Sequence, residues 1–467
     1  MTHYAEMTAA EIAAGVRAGA LSARDIVQAA LSRIDRLNPE LNAFTTVTRE
    51  RALKKAAAVD AAVARGRDPG PLAGVPFAAK NLFDMTGIPT VAGSKINRDR
   101  APAVADATLI ARLEDSGAVL LGALNMGEYA YDFTGENAHD GPSRNPHAPD
   151  RMSGGSSGGS GTAAAAGMVP ITLGSDTNGS IRVPSSLCGL FGLKPTYGRL
   201  SRAGTFPFVA SLDHVGPMAR SVRDLALALD AMSGPDAADP VLSEARFEPT
   251  APLVGNGIDG LRIARAGGYF DRGGLAEAFA AVDAVAAQLG AKRTLGIDDA
   301  RAARGAAYVI TMTESASLHL ERLRKHHADF DPDVRDRLLA GAMIPAAWIV
   351  KAQKVRRIFR ERMLKIFEEV DVLLAPATPC SAPSIGQKTM TIDGVEMPVR
   401  PNLGIFTQPI SFIGLPVVAV PVWLAGASLP IGVQVIAAPW REDVALRVAR
   451  FLEASGVARA PVAKLGA

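Results

Sequence analysis

Residues 153–182 read SGGSSGGSGTAAAAGMVPITLGSDTNGSIR. Gly/Ser tracts usually serve as flexible linkers, but Ser153–Gly161 runs into the small, apolar TAAAAGM and then into VPITLG, both suited to burial. The tract is therefore expected to be pressed into the protein, where glycine permits close backbone approach. The second half, Gly174 to Arg182, places small residues ahead of Ser180. Successive backbone N–H groups can there turn toward one point, which is how an oxyanion is held.

The surrounding chain alternates helix and strand signals. Upstream, PLAGVPFAAKNLF joins a turn signal to a short β-capable run that ends on Lys80 and Asn81, so Lys80 is expected at a strand end. Ala118–Leu124 reads as a buried strand, and 132–152, rich in Gly, Pro, Asn, Asp and His without periodicity, reads as loop. The first 65 residues read as helices. Ser22 with Asp25, and Ser221 with Asp224, have the S-x-x-D spacing of a capping box ahead of helical apolar periodicity. Composition loosens from Gly234 to Gly260. Val355, Phe359, Met363, Ile366 and Val370 form a stripe on a long basic helix that leads into the strand DVLLAPATP. The strands PVVAVPVW and IGVQVIAAP precede a last helix from Asp443, which predicts an α/β fold with helices covering a large sheet.

Composition narrows the function. Of 467 residues, 48% are hydrophobic and 21% charged, which excludes collagen, coiled coil and bulk disorder. Length alone suggests about three domains. Fifty Lys plus Arg against 47 Asp plus Glu leave a net charge of +3. The basic residues are dispersed, so no direct nucleic-acid partner is expected. Two cysteines, Cys188 and Cys380, are too few for a disulfide framework and point to a reducing, cytoplasmic setting. Met1–Val16 lacks a basic n-region, and the longest apolar stretch, Gly161–Gly174, is short and broken by Pro170. Neither a signal peptide nor a membrane span is expected.

Several motif matches fail on context. GNGIDG at 255–260 satisfies G-x-G-x-x-G but precedes the strand-like LRIARA, whereas a dinucleotide fingerprint follows a strand. The Gly/Ser loop lacks the G-K-[ST] ending of a P-loop. GGSSG at 154–158 fits a nucleophile elbow, yet no strand precedes it and the last histidine is His327, too early to be that fold's base. His319, His326 and His327 read as a charged helical surface without metal-site spacing, so no metal is expected. His214, in a turn, reads as a structural hydrogen bonder.

Two serines 24 positions apart, Ser156 and Ser180, remain downstream of Lys80. Singly, each serine is a turn residue and the lysine a surface charge. Jointly they can act: a serine hydroxyl needs a base, a buried lysine held neutral by desolvation can be one, and a second serine can carry the proton between them.

The chain resembles the amidase signature family in PFAAKNLFD, GGSSGGS and SDTNGSIR, and onward through CGLFGLKPTYGRLSRAG, SLDHVGPMARSV, LLAPATP, PVVAVPV and PIGVQVIA, covering about residues 7–453. The resemblance implies a Ser-cisSer-Lys triad: Ser180 as acyl-forming nucleophile, Ser156 as bridging serine after a cis bond from Gly155, and Lys80 as base. It implies an oxyanion hole at Thr177, Asn178, Gly179 and Ser180, and a bracing role for Arg182. Many members have Gly where this chain has Asn178; Asn tolerates left-handed backbone, and its amide would alter the pocket.

The resemblance also implies a single domain over 1–467, built on a large mixed twisted sheet with helices on both faces. Its parts would be N-terminal helices (1–65), a catalytic core (66–234), a pocket-shaping insertion (235–360) and C-terminal strands and helix (361–467). Within the family, KNLFD with VAGSKINR and the D-T-N-G-S variant look most like members that release ammonia from 1-carboxybiuret, a small anionic ureido amide. Such members imply an oligomer with a small helical partner subunit, and no metal or organic cofactor. The alternatives are the glutaminase subunit of an aminoacyl-tRNA amidotransferase and a general small-amide amidase.

Overall fold

The computed structural model describes residues 4–245 and 247–465, so residues 1–3 and 466–467 of the expected outer segments lie outside the described residues. Fifteen strands occur among them: β1 (Phe44–Val47), β2 (Pro76–Lys80), β3 (Val119–Leu124), β4 (Arg144–Asn145), β5 (Ala148–Met152), β6 (Ile171–Ser175), β7 (Phe191–Lys194), β8 (Val215–Ala219), β9 (Ile263–Gly267), β10 (Arg293–Gly296), β11 (Val372–Pro376), β12 (Thr389–Ile392), β13 (Val395–Pro398), β14 (Val417–Val422) and β15 (Ile431–Ala437). Eleven form one sheet in the order β1-β3-β2-β6-β8-β7-β14-β15-β11-β9-β10. It is mixed: β3, β2 and β6 run parallel, as do β10, β9 and β11, and the strands between them pair antiparallel.

Strands β2, β3 and β6 are buried along their whole length, as their nearly unbroken apolar runs require of parallel strands covered on both faces. Their register sets up the site. Ala79 pairs with Leu173 and Lys80 with Leu124. The C-terminal ends of β2 and β6 therefore meet at one edge of the sheet, with Lys80 on one and Ser175 on the other. Open parallel sheets place their chemistry outside this edge.

The Gly/Ser tract is buried throughout, and from Gly158 it is helix, Gly158–Ala165, rather than loop. Glycine is required here: a Cβ at Gly159 would stand 2.5 Å from the Ala43 carbonyl oxygen and 2.6 Å from the Asn125 backbone. The helix, made of Gly, Ser, Thr and Ala, thus packs backbone to backbone onto the chain at β3. Residues 132–152 are mostly irregular, as expected, except that β4 and β5 pair antiparallel at their end.

Both expected helix starts occur, but neither acid closes a box. Ser22 Oγ accepts from Asp25 N at 3.3 Å, while the hydroxyl of Ser22 and the N–H groups of Ala23 and Arg24 go to Asp60. Ser221 Oγ accepts from Arg223 N, while buried Asp224 accepts from Ala9 N and Ala10 N and so caps the first helix, Ala9–Arg17. The reciprocal box is instead at Thr8 and Glu11.

Residues 235–360 supply β9 and β10 to the sheet and the helices Ala276–Gln288, Ala300–His326 and Pro332–Ala342. One expectation is corrected here. His319 is not on a charged surface: it is fully buried, its ring 4.1 Å from Tyr129 and 6.1 Å from Phe206 and from Phe330. Ala303, Ala307, Ile310, Ser315, His319 and Leu323 form one inward stripe at spacings of three to five, so helical phase overrides the charged neighbours. Burial pulls the pKa of His319 down to about 3. The stripe Phe359, Met363 and Val370 is buried as expected, on and just after the helix Ala346–Glu369.

Candidate active site

Lys80 is wholly buried at the end of β2. Its Nζ lies 2.7 Å from Ser156 Oγ, 2.9 Å from Ser175 Oγ and 3.1 Å from Ser157 Oγ. Three hydroxyls and no carboxylate surround the amine. Desolvation, only partly offset by Asp213, Asp132 and Asp176, lowers its pKa to about 7. A lysine in this state is largely neutral under mildly alkaline conditions and can accept a proton from a hydroxyl. The peptide bond Gly155–Ser156 is cis, and the Ser156 carbonyl accepts from Gly127 N at 3.1 Å.

Ser180 sits five residues past Ser175, on the loop that joins β6 to the helix Arg182–Cys188. The loop is held from several sides. Asp176 is paired with Arg182, both fully buried, through Nε–Oδ2 and Nη2–Oδ1 contacts of 2.9 Å. Arg182 continues to Gln434 Oε1 at 2.6 Å and to the Ser411 hydroxyl, and Ile181 N donates to Asp176. Burial opposes ionisation of Asp176, but the charge and hydrogen bonds of Arg182 hold it well below the usual carboxylate range. Thr177 Oγ1 donates to Asp213 at 2.6 Å, and Thr407 Oγ1 donates to the Asn178 carbonyl at 2.7 Å. Gly179 takes φ +145°, and a Cβ there would fall 2.1 Å from Thr407 Oγ1, so only glycine fits.

Lys80 and Ser156 are thus in hydrogen-bond contact, and Thr177, Asn178, Gly179 and Ser180 follow on the loop that leaves β6 at Ser175, itself a partner of Lys80. The backbone N–H groups of Thr177, Asn178, Gly179 and Ser180 have no acceptor among the described residues, leaving donors free beside the Ser180 hydroxyl. Ser180, Thr177 and Asn178 line a narrow cavity of about 20 Å³ with Asp132, Arg337 and Tyr308. Sequence reasoning did not single out Ser157 or Ser175 as contacts of Lys80, although both lie inside the motifs it used. It also missed Arg337, on the helix Pro332–Ala342, for which there was no local signal. Asn178 Nδ2 donates to Thr311 Oγ1 at 3.0 Å, and its buried Oδ1 has no partner among the described residues. His214 behaves as expected, its Nδ1 meeting the carbonyls of Leu212 and Asp176 at 2.6 and 3.0 Å. No group of three or more His, Cys, Asp or Glu suited to a metal ion occurs among the described residues.

The amidase family profile matches residues 25–446. The chain belongs to the amidase family. This amidase is 53% identical to AtzE, the 1-carboxybiuret hydrolase subunit of Pseudomonas sp. (strain ADP), over 97% of this chain and 99% of that protein. It is 36% identical to a glutamyl-tRNA(Gln) amidotransferase subunit of Carboxydothermus hydrogenoformans, over 96% of each. A solved structure reported as "An unexpected vestigial protein complex reveals the evolutionary origins of an s-triazine catabolic enzyme" superposes with a TM-score of 0.96 at 52% identity, covering 99% of this chain and 100% of that one. The 6-aminohexanoate cyclic dimer hydrolase, complexed with substrate, superposes with a TM-score of 0.85 at 28% identity, covering 96% of this chain and 97% of that one. Hydrolysis of an amide C–N bond is the reaction of this amidase.

Proposed function

We propose that this amidase hydrolyses a small anionic ureido amide of the 1-carboxybiuret kind, releasing ammonia through an acyl-enzyme. The observation that carries the mechanism is the buried Lys80 amine hydrogen-bonded to Ser156 Oγ. In this reading Ser180 Oγ attacks the carbonyl carbon while its proton passes to Ser156, and the Ser156 proton passes to neutral Lys80. The N–H groups of Thr177 to Ser180 hold the oxyanion; one such donor is typically worth about 3 to 4 kcal/mol. The relay then returns a proton to the departing nitrogen, ammonia leaves, and water attacks the acyl-serine by the same route. No cofactor or metal has a step in this scheme.

Two features favour an anionic ureido substrate. Arg337 lines the cavity of Ser180, its Nε and Nη2 donate only to carbonyls, of Asp333 and Tyr131, and it pairs with no carboxylate among the described residues. Its charge is available to a substrate carboxylate. Asn178 adds an unpartnered acceptor for a ureido N–H. The likeness at 53% identity to a 1-carboxybiuret hydrolase subunit supports the same substrate class.

The proposal extends to organisation. Residues 1–467 act as one domain in which 235–360 shapes the pocket, since Tyr308, Thr311 and Arg337 come from there. An oligomeric state with a partner subunit is proposed from the relative's designation as one subunit of its enzyme, and the small helical character of that partner from the family resemblance alone. A cytoplasmic setting accords with the free, buried Cys188 and Cys380, and no single helix among the described residues is long and apolar enough to cross a membrane.

The test is ammonia release from 1-carboxybiuret made in situ, biuret, allophanate, glutamine, an aliphatic amide and an aryl amide. A preference for 1-carboxybiuret of about a hundredfold, roughly 2.7 kcal/mol of transition-state discrimination, is expected. Preferential turnover of glutamine would favour the glutaminase subunit of an amidotransferase instead, and turnover of neutral amides alone would leave a general amidase.

A further inference from the structure

Two larger cavities share walls with the narrow one at Ser180. The first, about 340 Å³, shares Arg337 and Pro401 with it and holds Glu136, Asp333 and Asp336 as well as Lys388 and Arg400. Arg400 is committed to acids, lying 2.7 Å from Asp132, 3.2 Å from Asp333 and 3.7 Å from Glu136. This approach is rich in carboxylates, two of which, Glu136 and Asp333, compete with Asp132 for Arg400.

The second cavity, about 570 Å³, is different in charge. It shares Tyr308 with the Ser180 cavity and is lined by Arg272, Arg301 and Arg304 against one carboxylate, Asp298. Neither Arg272 nor Arg301 forms an ion pair among the described residues, and both side chains belong to exposed residues. Arg304 pairs with no acid either. Its Nε donates to Gln408 Oε1 at 2.8 Å, and its Nη2 donates to the Pro401 carbonyl at 3.0 Å and to Asn402 Oδ1 at 2.8 Å. Gln408 and Pro401 both line the Ser180 cavity, and Tyr308 Oη donates to the same Pro401 carbonyl at 2.6 Å. Tyr308 therefore lines both cavities, and Arg304 of the arginine cavity is hydrogen-bonded to Gln408 and Pro401 of the Ser180 cavity.

We propose that the cavity of Arg272, Arg301 and Arg304 is an antechamber that collects the carboxylated substrate and passes it across Tyr308 to Ser180. The proposal rests on the anionic-substrate reading above and adds the route and the residues that set capture. The cavity has room for a molecule the size of a ureido acid and its solvent, whereas the space at Ser180 does not admit one until the shared wall shifts. Free guanidinium groups at the wide end concentrate a carboxylate where it must wait. Clefts of one sign raise on-rates by roughly 10 to 10³, an effect that weakens as salt rises.

The experiment compares wild type with the double variant Arg272→Gln/Arg301→Gln. The kcat/KM on in situ 1-carboxybiuret is measured from low salt to about 0.5 M NaCl, where the Debye length falls to a few ångströms. At low salt the variant is expected to lose about tenfold in kcat/KM, and the gap is expected to close at high salt. Equal values at low salt would overturn the antechamber. So would a loss that persists at high salt and extends to a neutral aryl amide, because that pattern marks structural damage. If wild type turns over no carboxylated amide, the substrate reading fails separately. Equilibrium binding of malonate to Ser180→Ala enzyme then decides the cavity alone: binding weakened tenfold by the two Gln substitutions keeps it as an anion site, and no difference removes it.

Discussion

Arg182 and Asp176 face each other in a two-point ion pair with neither side chain exposed, one lying two residues after Ser180 and the other four residues before it. The Ser180 loop is thereby fixed by charges that water cannot screen. Removing one partner leaves the other buried and uncompensated, which typically destabilises by about 3 to 5 kcal/mol. Arg182→Met is expected to lose about that much in urea unfolding, and Arg182→Met/Asp176→Leu distinctly less than the sum of the two single variants. Additive losses would show that the pair is not coupled.

Lys80 makes stability depend on pH. Burial depresses its pKa in the fold to about 7, whereas the unfolded chain holds the proton to about 10.5. Between these values the unfolded state binds more protons, so stability rises with pH, by up to about 1.4 kcal/mol per unit, and is lost as pH falls toward 7. Unfolding of wild type and Lys80→Met at pH 7 and pH 9 isolates the contribution. Wild type is expected to gain about 2 to 3 kcal/mol more than the variant over that interval; parallel behaviour would mean that the lysine is charged in the fold.

Arg337 should discriminate by charge. Its guanidinium stacks on Tyr131, 3.9 Å from the ring centroid, and is held by two carbonyls, which orients it without neutralising it. A charged hydrogen bond of about 1.5 to 3 kcal/mol corresponds to roughly 10- to 100-fold in kcat/KM. Arg337→Met is expected to lose that factor on a carboxylated ureido amide and little on an aryl amide. Equal losses on both would assign it to the fold.

Asn178 should read the ureido nitrogen. Asn178→Gly removes the unpartnered Oδ1 and the bond to Thr311. The ratio of kcat/KM for a ureido acid over a simple aliphatic amide is expected to fall about tenfold. An unchanged ratio would take this amide out of substrate recognition.

How much of this was legible follows from how local each signal is. The placement of Lys80 at a strand end, of Ser156 in a buried glycine-rich tract and of Ser180 on a small-residue turn could be read because each signal is contiguous, whereas their joint role rested on the family resemblance. The α/β class could be read because buried runs such as β2, β3 and β6 are short and apolar. The sheet order could not, since it joins β7 to β14 and β11 to β9 across long intervals of chain. Arg337 was invisible for the same reason: among many arginines, only the packing of its helix against the 130–133 segment brings it to Ser180. His319 was misread because charged neighbours outweighed the buried helical stripe on which it lies, and Asp224 because its carboxylate serves a helix 215 residues away.

The measurement that tests the central claim most directly is the pH dependence of kcat/KM. With Lys80 as the base, activity requires the neutral amine, so the rate should fall on acidification with an apparent pKa near 7, and about tenfold per unit below it. A rate that stays flat from pH 8 down to pH 5 would contradict the account, because an amine that titrates near 7 is protonated throughout the lower half of that range and could accept nothing from Ser156.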